Sequence, residues 1–209
     1  MVFNISRSGT SFAAPMVAGA AAVIQSANGS LKIWPEACRA ILLASAGRNI
    51  AGSTWFNDVR SHVDSTDGAG ALDVQIATSI ALQHVSPNSA AVMRGWNAAI
   101  LSSSSFGADS TSLFQYNMFV PGPTNRRVRV VLAWSSVVSS PTGTSTLTCD
   151  LDVWVRDPAG TLVSFSSSLD NSYEVVDFTS PPNKTYNFVI RRPSGNANGV
   201  RYAVAWTIL

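Results

Sequence analysis

The run Gly9-Thr10-Ser11-Phe12-Ala13-Ala14-Pro15-Met16-Val17-Ala18-Gly19 puts a serine hydroxyl at the head of a long stretch of small residues. Ala, Val and Ile continue to Ala27, where Asn28-Gly29-Ser30 supplies a stop, so the spacing predicts a helix over 11–27. At the amino end of a helix, unpaired N–H groups and the dipole favour negative charge, which suits a developing oxyanion. Gly9 allows a tight turn and leaves room for a substrate backbone. Thr10 or Ser11 can cap the helix, and Pro15 in the first turn rigidifies it at the loss of at most one hydrogen bond. Ala13, Ala14, Ala18 and Gly19 keep it slim enough to pack inside a larger core. The chemistry this points to is nucleophilic attack by Ser11. A plain helix cap would not call for Gly9, Pro15 and Val-Ala-Gly at these offsets.

A serine hydroxyl is a poor nucleophile until a base takes its proton and a carboxylate orients that base. Of the two histidines, His62 falls in a polar loop region and His84 at the end of an apolar stretch; neither reads as the base of Ser11. The eleven residues resemble the nucleophile motif of the subtilases, Gly-Thr-Ser-x-Ala-x-Pro-x-Val-Ala-Gly, at every fixed position. Trp34-Pro35-Glu36-Ala37-Cys38-Arg39-Ala40-Ile41-Leu42-Leu43 and Asp67-Gly68-Ala69-Gly70-Ala71-Leu72-Asp73 resemble the helix and the glycine-punctuated segment that follow it, extending the likeness to about residue 85.

The resemblance implies a subtilisin-like serine endopeptidase of peptidase family S8. Ser11 would be its catalytic residue, a protein or peptide its substrate, the extracellular space its setting, and no cofactor would be required for the chemistry. In that family the order is Asp, His, Ser, so both partners and the oxyanion-hole amide would lie well upstream, and Asn4 is too close to Ser11 to be that amide. The expectation is therefore a C-terminal part of a catalytic domain that needs its upstream half and is inactive alone. Without the parallel sheet that should cover it, the apolar sides of the Ser11 helix would face water.

The elements that must hold Ser11 divide the 209 residues into two parts. Pro35 and Glu36 start a second helix that ends at Gly47, and Leu72 to Val85 is apolar enough for a third. From about Val92 the period becomes alternating. Strands are predicted at Leu113–Val120, Arg127–Trp134, Leu151–Arg156, Thr161–Phe165, Glu174–Phe178, Tyr186–Arg191 and Tyr202–Leu209, with a hairpin turn at Asp157–Gly160 and longer loops at Ser139–Thr146 and Arg192–Gly199. In the last strand Val200, Tyr202, Val204, Trp206 and Ile208 share one face, the side expected to pack inward. The fold class expected is an incomplete α/β subtilisin-like domain, mainly its C-terminal helices, over 1–85, followed by an all-β sandwich or jelly roll over 92–209.

In the β-rich half, Thr148-Cys149-Asp150-Leu151-Asp152-Val153-Trp154-Val155-Arg156-Asp157-Pro158-Ala159-Gly160 resembles the Asp-Leu-Asp-Leu-x-Val-x-x-Pro-x-Gly run of β-sandwich domains appended to some bacterial subtilases. Asp150 and Asp152 share a strand face and with Asp170, Asn171 or Glu174 could hold a structural calcium; two solvated carboxylates are the alternative. Alternation puts Trp134 and Trp206 in the core and leaves Trp154 as the aromatic candidate for a carbohydrate or protein partner. Arg126, Arg127 and Arg129 read as a solvated strand edge, Cys38 as a buried helix residue and Cys149 as a strand-end thiol. A catalytically dead binding or structural module is the competing reading. A net charge of +2 with scattered Lys and Arg argues against nucleic acid. The apolar run 12–24, interrupted by Pro15 and Gly19, is too short for a membrane span.

Overall fold

A computed structural model of the chain describes residues 9–47, 68–136, 147–169 and 171–209. Three helices come first: α1 (Thr10–Ala27), α2 (Pro35–Ser45) and α3 (Val74–Ala81). Proline opens α2 with Glu36 in its first turn, while Asp73 caps α3 by accepting the Ile76 N–H at 2.8 Å. The third helix is shorter than the 72–85 run suggests. His84 and Val85 leave it to bridge to the first strand, Val85 N–H donating to the Trp96 carbonyl at 2.9 Å.

Eight antiparallel strands follow: β1 (Arg94–Ile100), β2 (Tyr116–Val120), β3 (Arg126–Trp134), β4 (Cys149–Arg156), β5 (Leu162–Ser166), β6 (Tyr173–Ser180), β7 (Lys184–Gly195) and β8 (Arg201–Ile208). They form two four-stranded sheets ordered β1-β8-β3-β6 and β2-β7-β4-β5. This is jelly-roll order, in which the chain crosses from sheet to sheet. All seven predicted strands are present. The predicted turn closes as Gly160 N–H donates to the Asp157 carbonyl at 2.9 Å and the Asp157 carboxylate accepts from Ala159 and Thr161. The β7 strand runs through Pro193 into what reads as a loop, and the 139–146 loop lies outside the described residues, as does most of 50–70.

The β1 strand escapes the sequence pattern because Arg-Gly-Trp-Asn-Ala-Ala-Ile lacks apolar alternation. Its inward positions are Gly95 and Asn97, opposite Trp206 and Val204. Asn97 is tolerated inside because the Tyr116 hydroxyl donates to its Oδ1 at 2.9 Å. Gly95 is required by close approach: a Cβ there would lie 2.6 Å from Val85 Cγ2 and 2.8 Å from Trp206 Cζ2. Gly95→Ala is therefore expected to destabilise the chain by about 1–3 kcal/mol, read as a lower midpoint in urea unfolding; an unchanged midpoint would contradict this packing.

Two apolar cores result. One lies between the sheets and contains Trp134, Tyr202, Val204 and Trp206 together with Leu151, Val153 and Val155. Both indoles find acceptors, Trp134 at the Cys149 carbonyl and Trp206 at the Val92 carbonyl. The other lies on the far side of the β1-β8-β3-β6 sheet. There Ala37, Ala40, Ile41 and Ala44 of α2 and Ala77, Ile80 and Ala81 of α3 cover Trp96, Val131, Ala133, Val175, Ala203 and Ala205. So β8 is buried on both faces, not one, and its small Ala203 and Ala205 face is what lets a helix approach.

The basic cluster is also corrected. The β3 strand lies between β8 and β6, and Arg127 and Arg129 are buried against Asp177 of β6 instead of solvated at an edge.

Candidate nucleophile site and its surroundings

Ser11 is the second residue of α1 and is exposed. The residue that turns the chain into the helix is Gly9, at φ +148°, a conformation that favours glycine; no side chain caps the helix, so neither Thr10 nor Ser11 does so. The Gly9 carbonyl accepts from Phe12 N–H at 3.0 Å and Ala13 N–H at 3.2 Å. The remaining N–H groups of the first turn, including that of Ser11, point out of the helix end with the dipole behind them. Pro15 sits just beyond the first turn and withholds a single N–H, the one that would otherwise return to the Ser11 carbonyl.

An 18-residue helix without a single charged side chain is an unusual thing to leave open to water. Yet only Ala20 and Ile24 of α1 are buried, while Phe12 is 50% and Met16 67% exposed, with Val17 and Val23 close behind. A methyl group added at Gly19 would meet nothing within 4 Å. The slim face expected to pack inside a larger core is present and bare. Neither Pro15 nor Gly19 interrupts the helix, so by length and composition alone it reaches the threshold for a membrane span.

No imidazole stands beside Ser11 among the described residues. The Asn28 side chain, at the other end of α1, donates to the Ala81 carbonyl at 2.8 Å, which puts that end of the helix next to the His84 region. Ser11 lies roughly 25 Å back along the helix axis, at about 1.5 Å per residue. His84 is otherwise engaged, its Nε2 3.1 Å from Asn97 Nδ2 and its ring edge-on to Trp96 at 4.9 Å. His62 and Asn4 lie outside the described residues.

In the sandwich, Asp150 and Asp152 are each 5% exposed, which corrects the picture of solvated carboxylates. Burial raises the pKa of both; Asp152, with Asp150 adding repulsion and Arg191 opposing it, is pushed up to about 7. Glu174, fully buried, is pushed up to about 8 by burial, although the Ser166 hydroxyl and the Ser168 N–H (2.7 Å) both donate to it. Asp150 Oδ1 has no hydrogen-bond partner among the described residues. Among those residues no three His, Cys, Asp or Glu side chains gather as a metal cluster; Asp170 lies outside them, and the Asn171 amide donates to Ser168. Trp154 is half-buried and carries the Arg191 guanidinium 4.1 Å over its ring, so that face is not free to stack on a sugar. No local pattern could have revealed this cover, because Arg191 is 37 positions away.

Residues 4–73, about a third of the chain, match the model of the subtilase family, Peptidase_S8. A subtilase-like origin is supported for this segment. Comparison with curated proteins finds no match. Among solved structures, the pre-peptidase C-terminal domain of a collagenase from Bacillus anthracis is similar at 9% identity and a TM-score of 0.36, over 56% of this chain and 90% of that one. The C-terminal CBM6 of LamC from Zobellia galactanivorans is similar at 19% identity and a TM-score of 0.29, over 47% and 74%. CBM35 from Paenibacillus barcinonensis is similar at 14% identity and a TM-score of 0.25, over 56% and 92%.

Proposed function

We propose that Ser11 is the nucleophile of a subtilisin-like serine endopeptidase, and that these 209 residues are the nucleophile-bearing part of its catalytic domain with a jelly roll attached. One observation carries this reading: a glycine-turned serine, open to solvent, stands at the head of an uncharged helix, within the segment that matches the subtilase family. In the parent protein the Ser11 Oγ attacks the scissile carbonyl carbon while its proton passes to an imidazole. The carbonyl oxygen becomes an oxyanion, for which the Ser11 N–H is the proposed donor. Collapse breaks the C–N bond, the amine leaves with the proton, and water then hydrolyses the acyl-enzyme, restoring the serine.

The base, its carboxylate and a parallel sheet to cover Phe12, Met16 and Val17 come, in this reading, from polypeptide outside these residues. In this reading Asp150 and Asp152 would hold a structural calcium, Asp150 Oδ1 being buried with no hydrogen-bond partner among the described residues.

The purified 209-residue chain is expected not to react with a fluorophosphonate probe at Ser11, whereas the parent reacts at that residue. Stoichiometric labelling of the isolated chain at Ser11 would show that it assembles its own base. Absence of labelling in an intact, folded parent would remove the nucleophile assignment.

A further inference from the structure

Arg129 is a wholly buried arginine in the middle of the β1-β8-β3-β6 sheet. Its Nε donates to Asp177 Oδ2 at 2.6 Å. The two N–H groups of its Nη1 serve three backbone carbonyls outside the sandwich, one N–H being shared: Leu43 at 3.1 Å, Ala46 at 3.0 Å and Ala69 at 2.7 Å. Leu43 belongs to the last turn of α2, where carbonyls lack donors within the helix and positive charge is favoured by the dipole. Ala46 follows that helix, and Ala69 lies where the chain returns toward α3. The two stretches meet again beside the arginine, Gly47 N–H donating to the Ala71 carbonyl at 2.6 Å. Arg127 binds the same Asp177 through both its Nε (2.7 Å) and an Nη (2.6 Å), so two guanidinium groups share the one carboxylate.

The other end of α2 is held in a complementary way. Arg201 of β8 donates to Glu36 Oε1 at 3.1 Å and to the Ile33 carbonyl, and its guanidinium lies 4.1 Å over the Trp34 ring. The Ser135 hydroxyl also donates to Glu36. Between the two ends the contact is made by alanines and Ile41, which grip the sheet without fixing where along it the helix sits. Burying a guanidinium is costly, and an apolar residue of similar volume would fill the space with a smaller loss of solvation. What an apolar residue cannot do is bond three particular carbonyls and a carboxylate at once; a planar fork of donors can.

We infer that Arg129 is the positioning residue of the helical segment: from within the sandwich it sets the register of α2 on the sheet and draws the chain ends at Ala46–Gly47 and Ala69–Ala71 together. The sandwich thereby acts as the support on which the protease-like segment is built. This does not depend on Ser11 being a nucleophile.

Hydrogen exchange on the 209-residue chain tests it. In Arg129→Met, the Gly47 amide is expected to exchange at least tenfold faster. Reference amides within the sandwich, Leu101 bonded to the Val200 carbonyl and Ser112 bonded to the Ile190 carbonyl, stay within twofold. Arg129→Lys keeps the charge and most of the bulk, so it folds even if the methionine variant does not. It should show the same selective loss at Gly47, because one ammonium cannot serve Asp177 and three carbonyls together. Arg201→Met, at the far end of α2, leaves Gly47 within twofold. The inference is overturned if Gly47 keeps its protection in Arg129→Lys. It is equally overturned if Gly47 and both reference amides speed up by the same factor, which would make Arg129 a contributor to global stability only.

Discussion

Ser11→Ala in the full-length parent is expected to lower turnover of a peptide substrate by about five to six powers of ten, the size of loss that follows when a serine-protease triad is deprived of its nucleophile. Binding should change little, because an alanine at the exposed head of α1 removes one hydroxyl and leaves Gly9, the helix dipole and the backbone N–H at position 11 in place. The informative comparison is therefore turnover against KM: a large fall in the first with the second nearly constant. A Ser11→Ala parent that still cleaves at more than about a hundredth of the normal rate would mean that the hydroxyl is not the attacking group. The helix would then be only what its composition says, an apolar rod in search of a core.

The second large effect concerns pH. Asp152 and Glu174 bind protons more tightly in the folded chain, at about 7 and about 8, than in the unfolded one, at their ordinary 3.8 and 4.5. Their contribution to stability is complete below the unfolded values and is lost as pH rises through the folded ones. Between about pH 5.5 and 8.5 the chain should lose on the order of 5 kcal/mol of stability from these two groups, since each costs about 1.4 kcal/mol for every pH unit over which the folded chain holds a proton that the unfolded chain has released. Glu36 works in the opposite sense. Burial pushes its pKa up, but hydrogen bonds from Arg201 and Ser135 more than offset this, and the net shift is downward, so its contribution fades on strong acidification. Urea midpoints measured across pH in the presence of chelator check this, with Asp152→Asn and Glu174→Gln each expected to flatten the slope. A stability that rises from about pH 5.5 to 8.5 would contradict the burial of these carboxyls. The calcium proposed at Asp150 and Asp152 predicts that calcium added at about pH 8 raises the midpoint and that Asp150→Asn abolishes the rise.

How much can be read without coordinates depends on whether a residue's partners are close in the chain. The Gly9–Gly19 motif, the α1 and α2 limits and the Asp157–Gly160 turn are local, and each is legible to within a few residues. Strands with apolar alternation are also legible, down to Trp134 and Trp206 facing inward. The failures share one cause. Arg129 reads as a solvated residue until Asp177, Leu43, Ala46 and Ala69 are brought to it from 48 to 86 positions away. The β1 strand is missed because Gly95 and Asn97 owe their inward places to Trp206 and Tyr116. The far face of β8 is missed because an alanine row looks indifferent until a helix is laid on it. The expectation that apolar sides would be left facing water without a covering sheet holds for α1, whereas α2 and α3 have found a different sheet to lie on.

The two cysteines fall one to each core, Cys38 in the layer between helices and sheet and Cys149 between the two sheets. Cys38 Sγ is held between the Leu31 carbonyl and the Gln25 amide, and burial pushes the Cys149 thiol up to about 11. Both are therefore shielded from alkylating reagents while their layer is closed, since the thiolate is the reacting form and needs access. The chain carries, without engineering, a separate chemical clock for the opening of each layer, and the difference between the two rates measures how independently the helices can lift away from the jelly roll.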